Sequence, residues 1–212
     1  MNQELRAKET PRRIGIMISG RGSNMLALAR AVEDGRIPHS VVAVVISDSA
    51  SAAGLPHARE LGIETLAIER EGRTRAEHEA EIVAALRAHN VDLLCLAGYM
   101  RLLSPLFIEA YRERILNIHP SLLPAFPGLD AHRQAIEYGV KFSGCTVHFV
   151  DEGLDGGAII EQRVVPVLDT DTEATLAARI LEHEHDCYIE SVARVVCRDY
   201  KINGRRVITN HH

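Results

Sequence analysis

The chain has 212 residues, 46% of them hydrophobic, with 24 Lys and Arg against 29 Asp and Glu for a formal net charge of −5. That length suits one large α/β domain or a domain with a small extension, and the charge argues against a dedicated nucleic-acid binder while leaving small anions open, because backbone dipoles bind phosphate on acidic proteins. No apolar run approaches the roughly 20 residues of a membrane span, and residues 1–13 are charged without a signal-peptide core, so the expectation is a cytoplasmic protein with a flexible lead-in over residues 1–12.

Residues 14–18 read as a buried strand that runs into Ser19-Gly20-Arg21-Gly22-Ser23-Asn24 and then into a helical stretch from Met25. Gly20 and Gly22 permit backbone angles that side chains forbid. Backbone N–H groups at the start of a helix favour an anion, and a single phosphate fits. The loop lacks the Gly-Lys-Ser/Thr of a P-loop and the third glycine of a dinucleotide fingerprint. An ordinary tight turn is the competing reading.

Further buried strands are expected over residues 41–46, 91–96 and 115–118, with helical patterns over 51–61, 74–89 and 104–111. Thr74-Arg75-Ala76-Glu77 matches a capping box. Ser104-Pro105 places an N-cap before a proline at the first helical position. Buried strands alternating with helices imply an α/β fold: a Rossmann-like, mostly parallel sheet with helices on both faces. Such sheets bind ligands at the carboxyl ends of their strands. The glycine-rich loop and the end of strand 115–118 both fall on that edge.

Asn117-Ile118-His119-Pro120-Ser121 is the most informative stretch. Strand alternation sends Ile118 one way and Asn117 and His119 the other. A carboxamide NH2 beside an imidazolium is a donor pair suited to an oxyanion. Pro120 biases His119 toward extended backbone. Spacing alone leaves Asp155, in Leu154-Asp155-Gly156-Gly157, either a turn residue or a carboxylate that holds His119. The segment 145–150 alternates like a strand and puts His148 on one face with Thr146, as a packed or a supporting histidine. A strand over 158–167, a helix over 172–196 and a terminal hairpin around Asn203-Gly204 complete the pattern. His183 and His185 point about 200° apart on that helix, so no metal site is expected there. The cysteines Cys95, Cys145, Cys187 and Cys197 form no CxxC pair, which suits a reducing compartment. No G-x-S-x-G elbow is present, so a covalent serine nucleophile is not indicated.

Together, Gly20-Arg21-Gly22-Ser23-Asn24, Leu96-Ala97-Gly98-Tyr99-Met100-Arg101-Leu102-Leu103-Ser104-Pro105, residues 116–124, Pro127-Gly128, His132-Arg133-Gln134-Ala135 and residues 146–157 resemble the phosphoribosylglycinamide formyltransferases, folate-dependent enzymes of purine synthesis. The resemblance runs from about residue 13 to residue 188. It implies a single formyltransferase domain over 13–200, with 201–212 as a terminal hairpin or tail. It implies that a glycinamide amine attacks the formyl carbon of 10-formyltetrahydrofolate, the co-substrate, with no metal. Asn117 would hold the oxyanion, His119 would act as electrophile and proton donor, and Asp155 would support His119 and help move the amine proton. Gly22, Ser23 and Asn24 match the phosphate loop of that family. Arg75, Met100, Arg101, Leu102 and Leu103 match its folate contacts, together with Asn117, Asp151, Gly153 and Leu154. Glu184 matches a helix glutamate at the glycinamide end. Where many relatives follow Tyr188 with proline, this chain has Ile189. The partners implied are the two small molecules, without nucleic acid or membrane, for a monomer or homodimer. The alternatives are a formyltetrahydrofolate deformylase and a non-catalytic folate- or nucleotide-binding module. Deformylases of this type carry an N-terminal regulatory domain, whereas about a dozen residues precede the first strand here.

Overall fold

The apolar runs marked as strands all enter one sheet. A computed structural model describes residues 10–198 and 200–209 of the protein. Most of the lead-in expected over residues 1–12, and the final His211 and His212, lie outside the described residues. The strands are β1 (Arg12–Ile18), β2 (Ser40–Ser47), β3 (Thr65–Ala67), β4 (Leu93–Leu96), β5 (Ile115–His119), β6 (Phe142–Phe149), β7 (Ile159–Pro166), β8 (Tyr200–Asn203) and β9 (Arg206–Thr209). Their order is β3-β2-β1-β4-β5-β6-β7-β9-β8. The first five are mutually parallel. β6 then runs antiparallel to both β5 and β7. The terminal hairpin β8–β9 joins the same sheet through one pair, Ile159 with Arg206.

Among the described residues, six helices connect the strands: α1 (Ser23–Glu33), α2 (Gly54–Glu60), α3 (Arg75–Ala88), α4 (Pro105–Ala110), α5 (Ala131–Tyr138) and α6 (Glu173–Val196). The starts of α3 and α4 follow from their caps. Thr74 and Glu77 exchange side-chain and backbone hydrogen bonds in a full capping box, and the Ser104 hydroxyl accepts from Phe107 N ahead of Pro105. α2 begins at Gly54, three residues inside the pattern that suggested it. β3 has only three residues, too few for a period-two pattern to register.

The helices cover both faces of the sheet. Leu28, Leu55, Ala135 and Ile180 pack from α1, α2, α5 and α6 against Ile16, Cys95, Leu116 and Val147. Ile82, Leu86, Phe107 and Ile108 pack from α3 and α4 against Met17, Leu94 and Ile115. Each such fully buried aliphatic side chain contributes about 1.5–3 kcal/mol. The strand order reverses at β1, whose neighbours are β2 and β4, so a crevice opens at the carboxyl ends of β1 and β4.

Tyr188 ties this crevice to α6. It is fully buried, and its hydroxyl lies 3.0 Å from the Leu96 carbonyl and 3.1 Å from the Leu116 carbonyl. One O–H proton is therefore shared between the last residue of β4 and the residue before Asn117. Burial pushes the phenol well above its ordinary range, so it remains a donor. Tyr188→Phe is expected to lower the unfolding free energy by about 1–2 kcal/mol, since two buried acceptors lose their donor. Urea denaturation measures this; an unchanged midpoint and slope would remove the tyrosine from the account.

Candidate active site

The loop after β1 turns into α1 through Gly22, which sits at φ 75 as the N-cap. A Cβ there would lie 3.0 Å from Gly54 Cα, so both the angle and the close approach of α2 call for glycine. No side chain caps α1, and its first turn carries no acid. The leading N–H groups are thus free of intrahelical partners and available to an anion. The side chain of Asn24 turns inward, and its Nδ2 donates to Glu184 Oε2 at 2.7 Å. Asn24 offers the loop its backbone only. Its Oδ1 is buried and has no hydrogen-bond partner among the described residues. Burial raises the Glu184 carboxyl above its ordinary 4.5, and the bond from Asn24 opposes that rise.

On β5 the expected alternation holds. Leu116 and Ile118 enter the core under α1, α5 and α6, while Asn117 and His119 face the other way. Antiparallel pairing sets His148 of β6 directly opposite Asn117, and Thr146 opposite His119. The His148 Nδ1 lies 2.8 Å from the Phe149 carbonyl, and its Nε2 lies 3.3 Å from Asn117 Nδ2. Nδ1–H therefore donates, and Nε2 accepts from the carboxamide. Burial also lowers this histidine's pKa, consistent with a neutral ring. The 3.7 Å approach of His148 Nε2 to Asp155 Oδ1 is then not an ion pair. Accepting at Nε2 fixes Asn117 with its NH2 toward the cleft and leaves the second N–H free.

Asp155 reaches the same cluster from the β6–β7 connection. It has φ 48, a left-handed angle that Asp tolerates better than most side chains. Its Oδ2 accepts from Gly128 N at 2.8 Å and lies 3.4 Å from His119 Nδ1. His119 Nε2 meets the Phe126 carbonyl at 2.8 Å. Both ring nitrogens thus face oxygen acceptors. The N–H assigned to an oxyanion in the sequence reading is held here by the protein's own loop.

The stretch after β4 forms the crevice's other wall. Met100 N donates to Ser19 Oγ at 2.9 Å, Arg75 donates to the Leu102 carbonyl at 2.7 Å, and Arg101 pairs with Asp48 at 2.5 Å. Met100 and Leu102 expose apolar side chains. Arg75 is also bonded to Glu79, so it braces the backbone of this wall. At the loop that follows β6, Gly153 N donates to Asp151 Oδ1, and Leu154 is exposed beside Gly128.

The family described as formyl transferase matches residues 12–192. The phosphoribosylglycinamide formyltransferase of Escherichia coli is 44% identical over 82% of this chain and 82% of its own length. The crystal structure of glycinamide ribonucleotide transformylase 1 from Symbiobacterium toebii superposes with a TM-score of 0.93 at 49% identity, covering 95% of each chain. The chain belongs to the phosphoribosylglycinamide formyltransferase family. It also matches trifunctional purine biosynthetic proteins at 39–46% identity, spanning only 14–19% of their length. A formyltetrahydrofolate deformylase from Pseudomonas syringae shares the fold at TM-score 0.88 and 25% identity, with 94% of this chain and 66% of that one covered.

In this formyltransferase-family chain the structure gathers Asn117, His119, His148 and Asp155 into one cluster. It sets Ser23, Met100 and Leu102 on the strand-end edge and links Glu184 to Asn24. Sequence reasoning missed the backbone anchors. Thr146 Oγ1 donates to the Ser121 carbonyl and accepts from Leu123 N and Gln162 Nε2, which pins the segment after His119 to β6 and β7. The signal available was Thr146 itself, a polar residue on the face it shares with His148.

Glu184 generates a pH dependence. Its folded pKa is raised, so the folded state keeps the proton to higher pH than the unfolded chain does. The cost of ionising it is absent below the ordinary value of 4.5 and complete above the raised one. The stability of the wild type relative to Glu184→Gln should therefore fall as pH rises from 4.5 through that window. Paired urea melts between about pH 4 and 8 measure it; a difference constant with pH would contradict the assignment.

Proposed function

We propose that this protein transfers the formyl group of 10-formyltetrahydrofolate to the amine of 5′-phosphoribosylglycinamide, in de novo purine synthesis. The observation that carries this reading is the meeting of a fixed carboxamide N–H, an imidazole and a carboxylate at Asn117, His119 and Asp155, on the same strand-end edge as an uncapped helix N-terminus. The names of its relatives at 44% and 49% identity support the same substrates.

The ribotide phosphate sits on the backbone of Gly22, Ser23 and Asn24, with Glu184 behind. The pterin lies along Met100, Arg101, Leu102 and Leu103, with Arg75 bracing that wall and Asp151, Gly153 and Leu154 closing over the ring. The amine nitrogen forms a bond to the formyl carbon, and the carbonyl electron pair moves to oxygen. Asn117 Nδ2–H and His119 Nε2–H stabilise that oxyanion. Asp155 takes the proton from the attacking nitrogen through water and keeps His119 charged. The oxyanion then re-forms the carbonyl, and the bond to the folate nitrogen breaks as that nitrogen receives a proton from His119. No covalent enzyme intermediate is required, and no metal enters the reaction. The protein works in the cytoplasm as a monomer or homodimer.

The deformylase likeness supplies the rival, since water in place of the amine would use the same cluster. With the ribotide absent, donor consumption should be negligible; equal consumption with and without it would establish the hydrolase instead. His119→Ala should lower kcat by about 10²–10³, and Asp155→Asn should also lower kcat strongly. Ribotide binding, measured by calorimetry, should stay within about threefold in both. Parallel loss of binding and turnover would assign them structural roles.

A further inference from the structure

The Phe126 carbonyl holds the N–H that His119 needs for the proposed reaction, at 2.8 Å from Nε2. A carbonyl only accepts, so Nε2 carries the hydrogen in this contact. A second donor stands beside it. The Ser121 hydroxyl lies 2.6 Å from the Ala125 carbonyl and 3.3 Å from that of Phe126. Among the described residues, the donors to the Phe126 carbonyl are His119 and Ser121. Ser121 is fully buried, and its backbone is fixed. Its carbonyl accepts from Thr146 Oγ1 at 2.6 Å, and that oxygen accepts in turn from Leu123 N and Gln162 Nε2. Gln162 also donates to the Leu123 carbonyl at 3.0 Å. Ser121 therefore adjusts through its hydroxyl and not through its backbone. A hydroxyl has one proton to give, and the shorter contact gives it to Ala125 while His119 serves Phe126.

We propose that Ser121 is a positioning residue for formyl transfer: its hydroxyl takes over the Phe126 carbonyl when His119 Nε2–H turns from it to the developing oxyanion. The inference rests on the transferase reading for the identity of that oxyanion, whereas the exchange of donors is a property of the loop. The turn of His119 leaves a part-buried carbonyl unmet, and an unmet acceptor raises the free energy of the state in which it occurs. That state is the transition state, so the loss falls on the rate. Ser121 offsets it by rotating about its Cβ–Oγ bond, which carries one hydrogen between two carbonyls already within reach. Ala125 is exposed, so solvent replaces the hydroxyl there. No covalent bond is made or broken, and the proton stays on Ser121. Stapling of the loop is the competing role, and the two differ in what their loss does. Without a staple, the Phe126 carbonyl drifts from His119 and the contact at Nε2 weakens. Without the relay, His119 is held at Phe126 more firmly, because no other side chain among the described residues serves that carbonyl.

Two measurements on Ser121→Ala separate these roles. In steady-state transfer from 10-formyltetrahydrofolate to the ribotide, kcat should fall about tenfold, with both KM values within about threefold of wild type. Ser121→Thr, which restores the hydroxyl, should recover most of that loss. The second measurement needs neither substrate nor turnover. The ring-nitrogen NMR signals of His119 are recorded at a pH where the imidazole carries one proton, which rests either on Nδ1, facing Asp155, or on Nε2, facing Phe126. Placing it on Nδ1 strips Phe126 of its histidine donor, the same loss that the oxyanion imposes. Ser121→Ala should therefore shift the ratio toward the Nε2–H form by about fivefold. A ratio unmoved, or moved toward Nδ1–H, would overturn the relay. So would a kcat equal to wild type, or KM values rising in step with the loss of kcat. A wild type without ribotide-dependent transfer would refute the transferase reading instead, and the tautomer ratio would still decide the role of Ser121.

Discussion

The Asp155 carboxylate is where three separately built segments meet. Its Oδ2 accepts the Gly128 N–H and faces His119 Nδ1 of β5, and its other oxygen faces His148 of β6. The carboxylate is 13% exposed, and a charge so sheltered requires donors to offset lost hydration. The loop after β5 supplies one, and His119 Nδ1 faces the carboxylate at 3.4 Å. His119 in turn sits between that carboxylate and the Phe126 carbonyl, an oxygen against each ring nitrogen. Delivering Asp155 demands a tight return from β6. A Cβ on Gly157 would stand 1.9 Å from the Phe149 carbonyl, so the chain passes there only as glycine. The positive φ of Asp155 lies within the same return.

Two buried histidines on one sheet face meet different partners. His148 gives its Nδ1 proton to the carbonyl of Phe149 and is neutral, which makes Nε2 an acceptor that orients Asn117. His119 meets acceptors on both sides. The reversal of sheet direction between β5 and β6 creates this division, because the antiparallel register sets Asn117 and His148 directly across from one another.

Local periodicity made much of this legible. The β5 alternation that separates Ile118 from Asn117 and His119 is a property of five residues, and the capping box at Thr74 is a property of four. Asp155 was different. Spacing allowed it to be a turn residue, and it is one, with φ 48, as well as a partner of His119. Only the closure of the β6–β7 return decides that both hold. The inward turn of the Asn24 side chain was out of reach for a related reason: Glu184 on α6, 160 positions away, draws it in. A short edge strand such as β3 leaves no periodic trace. The anchors at Thr146 and Gln162 join segments 16 or more positions apart, and no window of sequence contains such a pair.

The contact between His119 Nε2 and the Phe126 carbonyl has a consequence for the proposed reaction. A neutral carbonyl is a weaker acceptor than an oxyanion, and hydrogen bonds to ionised oxygens are about twice as strong as neutral ones. A neutral formyl oxygen gains little by competing with Phe126 for that proton. The oxyanion formed on amine attack gains much more, so the bond exchanges partners as charge develops. Binding that strengthens from substrate to transition state is what lowers a barrier, whereas equal binding of both does not. In the proposed reaction the occupied Nε2 would bias His119 toward the tetrahedral species. The N–H of Asn117, oriented by His148, would serve substrate and intermediate without rearrangement.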